Sequence, residues 1–169
     1  MLVVVSDTHS HAGHALSGRT LEAVREAERV IHAGDFTTVS ALDAFHEEAA
    51  RLEAVHGNAD EMAVRDRLPA ARTLEWADRR IAVTHRRNGG PTGLAMFGRE
   101  RGADLVISGH THRPSVTRTD DLLLLNPGSH AQPRGNRPGH AELERVGTEV
   151  RGRLCQPDGT VFEEFSLQD

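Results

Sequence analysis

Lysine is missing from this chain: all 20 of its basic residues are arginine. That bias fits a GC-rich genome or a salty cytoplasm, and a pI near 6.1 is too mild to select the second. Acidic residues number 25, giving a net charge of −5, so no binding of a nucleic-acid duplex is expected. Cysteine occurs once, at Cys155, which excludes an internal disulfide and suits a reducing cytoplasm, the expected location. Apolar runs such as Leu122 to Leu125 fall far below the roughly 20 residues of a spanning helix, so no membrane partner is expected. The start, MLVVVSDTH, shows neither a basic n-region nor a small-residue cleavage site, and no signal peptide is expected. Repeats and low-complexity stretches are absent from the sequence.

What is present is an ordinary apolar fraction of 37% and 11 histidines in 169 residues. The length suits one domain, 1–169, with a substantial core. The first half alternates strands with helices. Leu2 to Ser6, Arg29 to Ala33 and Leu52 to His56 read as strands. Ser17 to Glu28 reads as a helix, and a second opens at Ser40 with Leu42, Phe45 and His46 inward. Such alternation predicts parallel βαβ units. In the second half Thr73 to Trp76 and Arg80 to Thr84 form a hairpin turning at Ala77-Asp78. A helix follows from Pro91 to about Arg101, then a strand from Leu105 to Ser108. The remaining strands, Ser115–Thr119, Leu122–Asn126, Ala141–Val146, Glu149–Cys155 and Val161–Phe165, have no helices between them. The predicted fold is α/β, a layered α-β-β-α sandwich of two mixed sheets. Gly128 to Gly139, rich in Pro, Gly and Arg, reads as a mobile surface loop.

The chemistry collects just past the strands. SDTHS supplies Asp7 and His9, HAGDF supplies Asp35, and VHGNAD supplies Asn58 with Asp60 behind it. VTHRR supplies His85, and SGHTH supplies His110 and His112. In parallel-type sheets these ends share one edge, where sites of open α/β folds form. Glycines at 34, 57 and 109 precede Asp35, Asn58 and His110, and are expected to turn the chain so that the next side chain faces the edge. His110 and His112, two residues apart, are expected to point the same way. Two carboxylates, four imidazoles and one amide exceed a tetrahedral set and suit two divalent ions. Mixed N/O ligation without thiolate fits Mn, Fe, Zn, Ni or Mg, with Mn the first expectation. Two such ions, less two carboxylates and one hydroxide, leave a formal charge of about +1, which favours an anionic substrate.

These residues resemble the calcineurin-like metallophosphoesterase superfamily. Its blocks stand here in family order as Asp7-Thr8-His9, Gly34-Asp35, Gly57-Asn58, His85 and Gly109-His110-Thr111-His112. Asn126-Pro127-Gly128-Ser129 matches a turn of the small bacterial and archaeal phosphodiesterase branch, so the resemblance spans Leu2 to about Ser129. It implies that Asp7, His9 and His112 bind one metal, that Asn58, His85 and His110 bind the other, and that Asp35 bridges. It further implies attack on phosphorus by a metal-bridging hydroxide, a phosphate contact from Asn58, and Asp35, Asn58 and His85 as the catalytic group. The chain departs from related patterns twice. Ala59 stands where the phosphoprotein-phosphatase branch has a histidine thought to protonate the leaving group. His85-Arg86-Arg87 stands where the phosphodiesterase branch has His-Gly-His.

The expected activity is therefore metal-dependent hydrolysis of small or activated phosphodiesters. The alternatives are a phosphomonoesterase and a non-catalytic metal-binding scaffold, since a retromer subunit resembles the same fold and serves in assembly. Arg86 and Arg87 read equally as a phosphate clamp and as a solvated pair. His32 and His56 read as hydrogen-bonded structural residues, His11 and His14 as surface residues, and Cys155 as a buried one. The C-terminal strands could supply the edge of a homo-oligomer.

Overall fold

Successive residues of a strand face opposite sides of its sheet, and the apolar strands here use both sides. In the computed structural model, which describes residues 1–167, they form two sheets laid face to face. The first has β1 (Leu2–Val5), β2 (Arg29–His32) and β3 (Leu52–Ala54) in parallel. They are extended on the β1 side by antiparallel β9 (His140–Val146), β10 (Glu149–Cys155) and β11 (Val161–Leu167). The second sheet runs in the order β4 (Ala71–Trp76), β5 (Arg79–Thr84), β6 (Leu105–Ile107), β8 (Leu123–Asn126), β7 (Ser115–Arg118), with β5, β6 and β8 parallel.

Leu2, Val4, Ile31, Ile81, Val83, Leu105, Ile107, Leu123 and Leu125 fill the layer between the sheets. Their neighbours face outward. Val3, Val5 and Val30 pack against α1 (Gly18–Glu26), α2 (Val39–Glu48) and α3 (Met62–Arg67). Ala82, Val106 and Leu124 pack against α4 (Gly90–Arg99). The result is the α-β-β-α sandwich that the strand and helix patterns predict. No helix among the described residues is long and apolar enough to cross a membrane.

The β4–β5 hairpin turns at Ala77 and Asp78, both at positive φ (51° and 60°), as a two-residue turn between twisted strands requires. The short helix α3 is absent from the sequence reading. Only Val64 of its six residues is buried, so it carries no periodic stripe. His46, expected inward, is exposed: one residue on from buried Phe45 is a rotation of about 100°, which carries it off the packed face. The Gly128–Gly139 segment differs from the surface loop expected. Ser129 and His130 are buried, and the Ser129 hydroxyl donates to the Asp7 carbonyl (2.7 Å) and accepts from Gln132 N–H (2.8 Å). Only Gln132, Arg134, Gly135 and Arg137 are exposed.

Candidate metal centre and active site

All seven side chains singled out in the sequence lie at one edge of the sandwich, where β1, β2, β3, β5 and β6 terminate. The two sheets contribute separately. Asp7, His9, Asp35 and Asn58 follow strands of the first sheet, and His85, His110 and His112 follow strands of the second. Asp7, Asp35, His85 and His112 are buried; Asn58 and His110 are exposed.

The donors fall into two groups. Ligand atoms of Asp7, His9 and His112 lie within 4.8 Å of one another, as do those of Asp35, His85 and His110. Asn58 joins the second group, its Oδ1 3.0 Å from His110 Nδ1. Asp35 touches both groups: its Oδ2 is 3.3 Å from His9 Nε2 and 3.1 Å from His85 Nε2. His110 and His112 therefore do not point the same way as a strand period predicts. The chain has left β6 by Ile107, and the two imidazoles diverge into different groups.

The turns that aim these side chains lie in the ligands themselves. Asp7, His9, Asp35, His110 and His112 all have φ between 45° and 72°. Short polar residues tolerate this left-handed region better than most, yet each costs on the order of 1 kcal/mol or more. Of the three flanking glycines only Gly34 has a positive φ (100°). Gly57 and Gly109 serve by lacking a Cβ. One on Gly57 would sit 2.1 Å from Asp35 Oδ1, and one on Gly109 2.1 Å from Ser6 Oγ and 2.7 Å from Asp7 Oδ2.

A second layer of bonds fixes these candidate ligands. His85 Nδ1 donates to the Ala33 carbonyl (2.8 Å), and His112 Nδ1 donates to the Gln132 carbonyl. Since a carbonyl only accepts, both rings keep Nε2 as the free donor atom, turned into the site. The sequence reading gave Asp60 no task. Its buried carboxylate accepts from Gly57 N–H (2.7 Å), Thr37 N–H (2.7 Å) and Asp35 N–H (3.1 Å), joining the loops that carry Asn58 and Asp35. The Asn126 amide donates to the Gly109 carbonyl (2.9 Å), which gives the Asn-Pro-Gly-Ser block its place beneath the His110 turn. Local sequence does not show these roles in full, because Thr37, Asp35 and Gly109 lie far along the chain from the side chains that hold them.

Charges respond to this crowding. The nearby Asp35 carboxylate (3.3 Å from Nε2), and then that of Asp7 (3.8 Å), push His9 up to about 9. Burial alone would raise the Asp35 carboxyl, but His85 and His9 outweigh it and hold it well below the carboxylate range. Burial, then His85 and Arg86, lowers His110. The two carboxylates thus draw positive charge onto neighbouring imidazoles. Meanwhile Nε2 of His9 and of His85 is buried without a hydrogen-bond partner. Buried polar atoms rarely stay unpaired, and imidazole nitrogens held between two carboxylates suit divalent cations of the borderline class, which would take the place of the protons.

Other histidines are elsewhere. His32 is buried, 2.8 Å from the Thr8 hydroxyl and stacked on Phe36 at 3.6 Å between centroids. The His56 ring makes no hydrogen bond among the described residues, contrary to expectation. His14 is half-buried, its Nδ1 accepting from Leu16 N–H (2.9 Å) and its edge toward Phe45. A third cluster, His140, Glu142 and Cys155, is buried in the first sheet. Glu142 is already held by Arg19 (2.8 Å) and Arg153 (2.6 Å), and both His140 nitrogens are engaged, with Thr20 and with Glu142. Burial, then the Glu142 charge, pushes the Cys155 thiol up to about 11, so this cluster is a neutralised ion network with no vacancy for a cation.

Two facing mixed sheets with carboxylate–imidazole groups at one edge define a class of layered α/β fold built to hold metals. The chain belongs to the calcineurin-like phosphoesterase superfamily, whose domain model matches residues 1–147. It is 35% identical over 172 residues to a probable metallophosphoesterase of Methanothermobacter thermautotrophicus, covering 99% of both chains. It is 27% identical over 137 residues to the phosphodiesterase YfcE of Escherichia coli, covering 78% of this chain and 72% of that one. The crystal structure of Vps29 from Entamoeba histolytica complexed with Zn2+ superposes with a TM-score of 0.82 at 23% identity over 99% of each chain, a likeness of fold.

Proposed function

We propose that this chain is a dinuclear, metal-dependent phosphodiesterase acting on small or activated diesters, with manganese as its working ion. The observation that carries the reading is the position of Asp35, whose one oxygen lies within 3.3 Å of a free, buried Nε2 from each donor group. Asp7, His9 and His112 would hold one ion and Asn58, His85 and His110 the other, with Asp35 shared. Such ions, when bound, act as Lewis acids on phosphoryl oxygens and lower the pKa of water.

The chain's own groups do the rest. Ala33 and Gln132 carbonyls fix the tautomers of His85 and His112, so neither ring has to reorganise during turnover. Asn58 is exposed, and its amide N–H group is free to donate to a phosphoryl oxygen while its Oδ1 faces His110. Arg86 is exposed and its guanidinium makes no hydrogen bond or ion pair among the described residues, which leaves it for the anionic substrate. Ala59 brings no proton donor to the leaving group, which favours esters whose alcohol leaves readily.

The test crosses Mn, Ni, Mg and Zn with bis(p-nitrophenyl) phosphate, p-nitrophenyl phosphate and cyclic nucleotides. Mn-supported turnover of the aryl diester above the monoester is expected. Asp35→Asn is expected to lower it by on the order of 100-fold or more without loss of fold by circular dichroism. Full activity in that variant, or a clear preference for the monoester, overturns the reading.

A further inference from the structure

Two clefts leave the donor edge, and both are walled by His85, Arg86 and Arg87. The one on the Asn58 side measures about 480 Å³ and adds His56, Arg65 and Thr84. The one on the His110 side measures about 290 Å³ and adds Pro91 and Leu94 of α4, Thr117 of β7 and Leu124 of β8. Their chemistry differs. In the Asn58 cleft Arg65 is spent on the carbonyls of Asp60 (2.9 Å) and Asn58 (2.6 Å), and the guanidinium of Arg86, which borders both clefts, has no hydrogen-bond or ion-pair partner among the described residues. In the His110 cleft Arg87 is drawn away onto the Phe97 ring of α4, 4.3 Å from its centroid, and the wall that remains is mostly apolar.

We infer that the substrate is an asymmetric phosphodiester, with an apolar, ring-sized ester arm in the α4 cleft and a polar or anionic arm in the Asn58 cleft. This rests on the phosphodiesterase reading and extends it to both substituents. A phosphoryl group held between Asn58 and His110 sits where the clefts join at His85. A diester has two arms to send outward from that point, whereas a monoester has one and would leave a cleft filled with water. An apolar cleft beside an anion site gains nothing from a charged arm, because desolvating that charge is costly there. At about 290 Å³ the α4 cleft sits at the small end of ligand pockets, which suits one ring system. The larger cleft, open and cationic, suits a hydroxyl-bearing or carboxylate-bearing arm.

The experiment uses the Mn-loaded full chain and bis(p-nitrophenyl) phosphate as substrate, with phenylphosphonate and methylphosphonate as competitive inhibitors. Phenylphosphonate is expected to bind tighter than methylphosphonate by on the order of tenfold, the discrimination available to an apolar pocket. Thr117→Trp, at an exposed position of β7, fills the cleft and is expected to erase that preference while leaving the methylphosphonate Ki unchanged. Leu94→Gln gives the same readout by making the wall polar, should the first variant fold poorly. Arg86→Ala is expected to raise KM for both diesters, and by several-fold more when the second arm ends in a carboxylate than when it is methyl. Diester turnover with a Ki ratio indifferent to both cleft variants, or an equal Arg86→Ala effect on both diesters, overturns the arm assignment and leaves the diesterase reading standing. No diester turnover with any metal overturns both.

Discussion

Five of the seven candidate ligands adopt a backbone conformation that most side chains avoid, and the surroundings hold each of them there. Asp7 takes the amide of His110 on its carboxylate at 3.0 Å, and Asp35 takes that of Ala59 at 2.8 Å. Each carboxylate therefore anchors a neighbouring loop as well as facing the donor groups. The close approach needs Gly57, whose α-carbon stands against the Asp35 carboxylate and has no room for a methyl. Gly57→Ala is expected to displace Asp35, destabilising the fold by about 1–3 kcal/mol through overpacking. Turnover should fall by on the order of 100-fold, since catalysis depends on ligand position to within about an ångström. Thermal denaturation and kcat on the same preparation check both.

At the scale of elements, α3 matters more than its six residues suggest. Arg65 projects from it to the carbonyls of Asn58 and Asp60, so the helix holds the turn that bears Asn58. Arg65→Ala is expected to weaken Mn retention on the order of tenfold, the usual effect of removing an outer support. Its unfolding midpoint should stay near that of the parent, because the side chain is exposed. Titration against a metal-sensitive dye measures the first and calorimetry the second. This helix escaped the sequence reading because a single buried residue makes no period, whereas β1, β5 and β6 announce themselves by continuous apolar runs. The candidate ligands were legible for a related reason. Each follows a strand that is unmistakable, and strand ends on one edge of a sheet must come together. What stayed hidden depended on contacts between distant segments: the left-handed backbone of the ligands, Asp60 joining two loops, Ser129 under Asp7, and the steric reason for Gly57.

At the scale of the whole molecule, the first sheet keeps a charged network apart from the candidate metal ligands. Glu142 on β9 is buried and ties Arg19 of α1 to Arg153 of β10 through its two oxygens. Burial favours its neutral form, but His140, Arg19 and Arg153 prevail and hold it well below its ordinary value near 4.5. A carboxyl depressed in the folded state adds stability that is complete above its unfolded pKa and fades as pH falls through the folded one. Glu142→Gln should therefore cost about 3 kcal/mol at pH 7, as breaking a buried ion pair does. The gap to the parent should stay level down to about pH 4.5 and narrow in stronger acid, as urea melts across pH will show. Because Cys155 lies beside this network and is itself buried, the thiol should stay unmodified by alkylating reagents until the sheet opens.

Since each sheet brings its own share of the candidate ligands, the proposed pair of ions would act as a rivet between the two halves of the sandwich. Peeling one sheet from the other would then require giving up the ions, so loading should raise the melting temperature in step with the logarithm of free Mn, and a chelator should reverse the gain. A melting point indifferent to Mn would mean that the halves are fastened by their apolar filling alone.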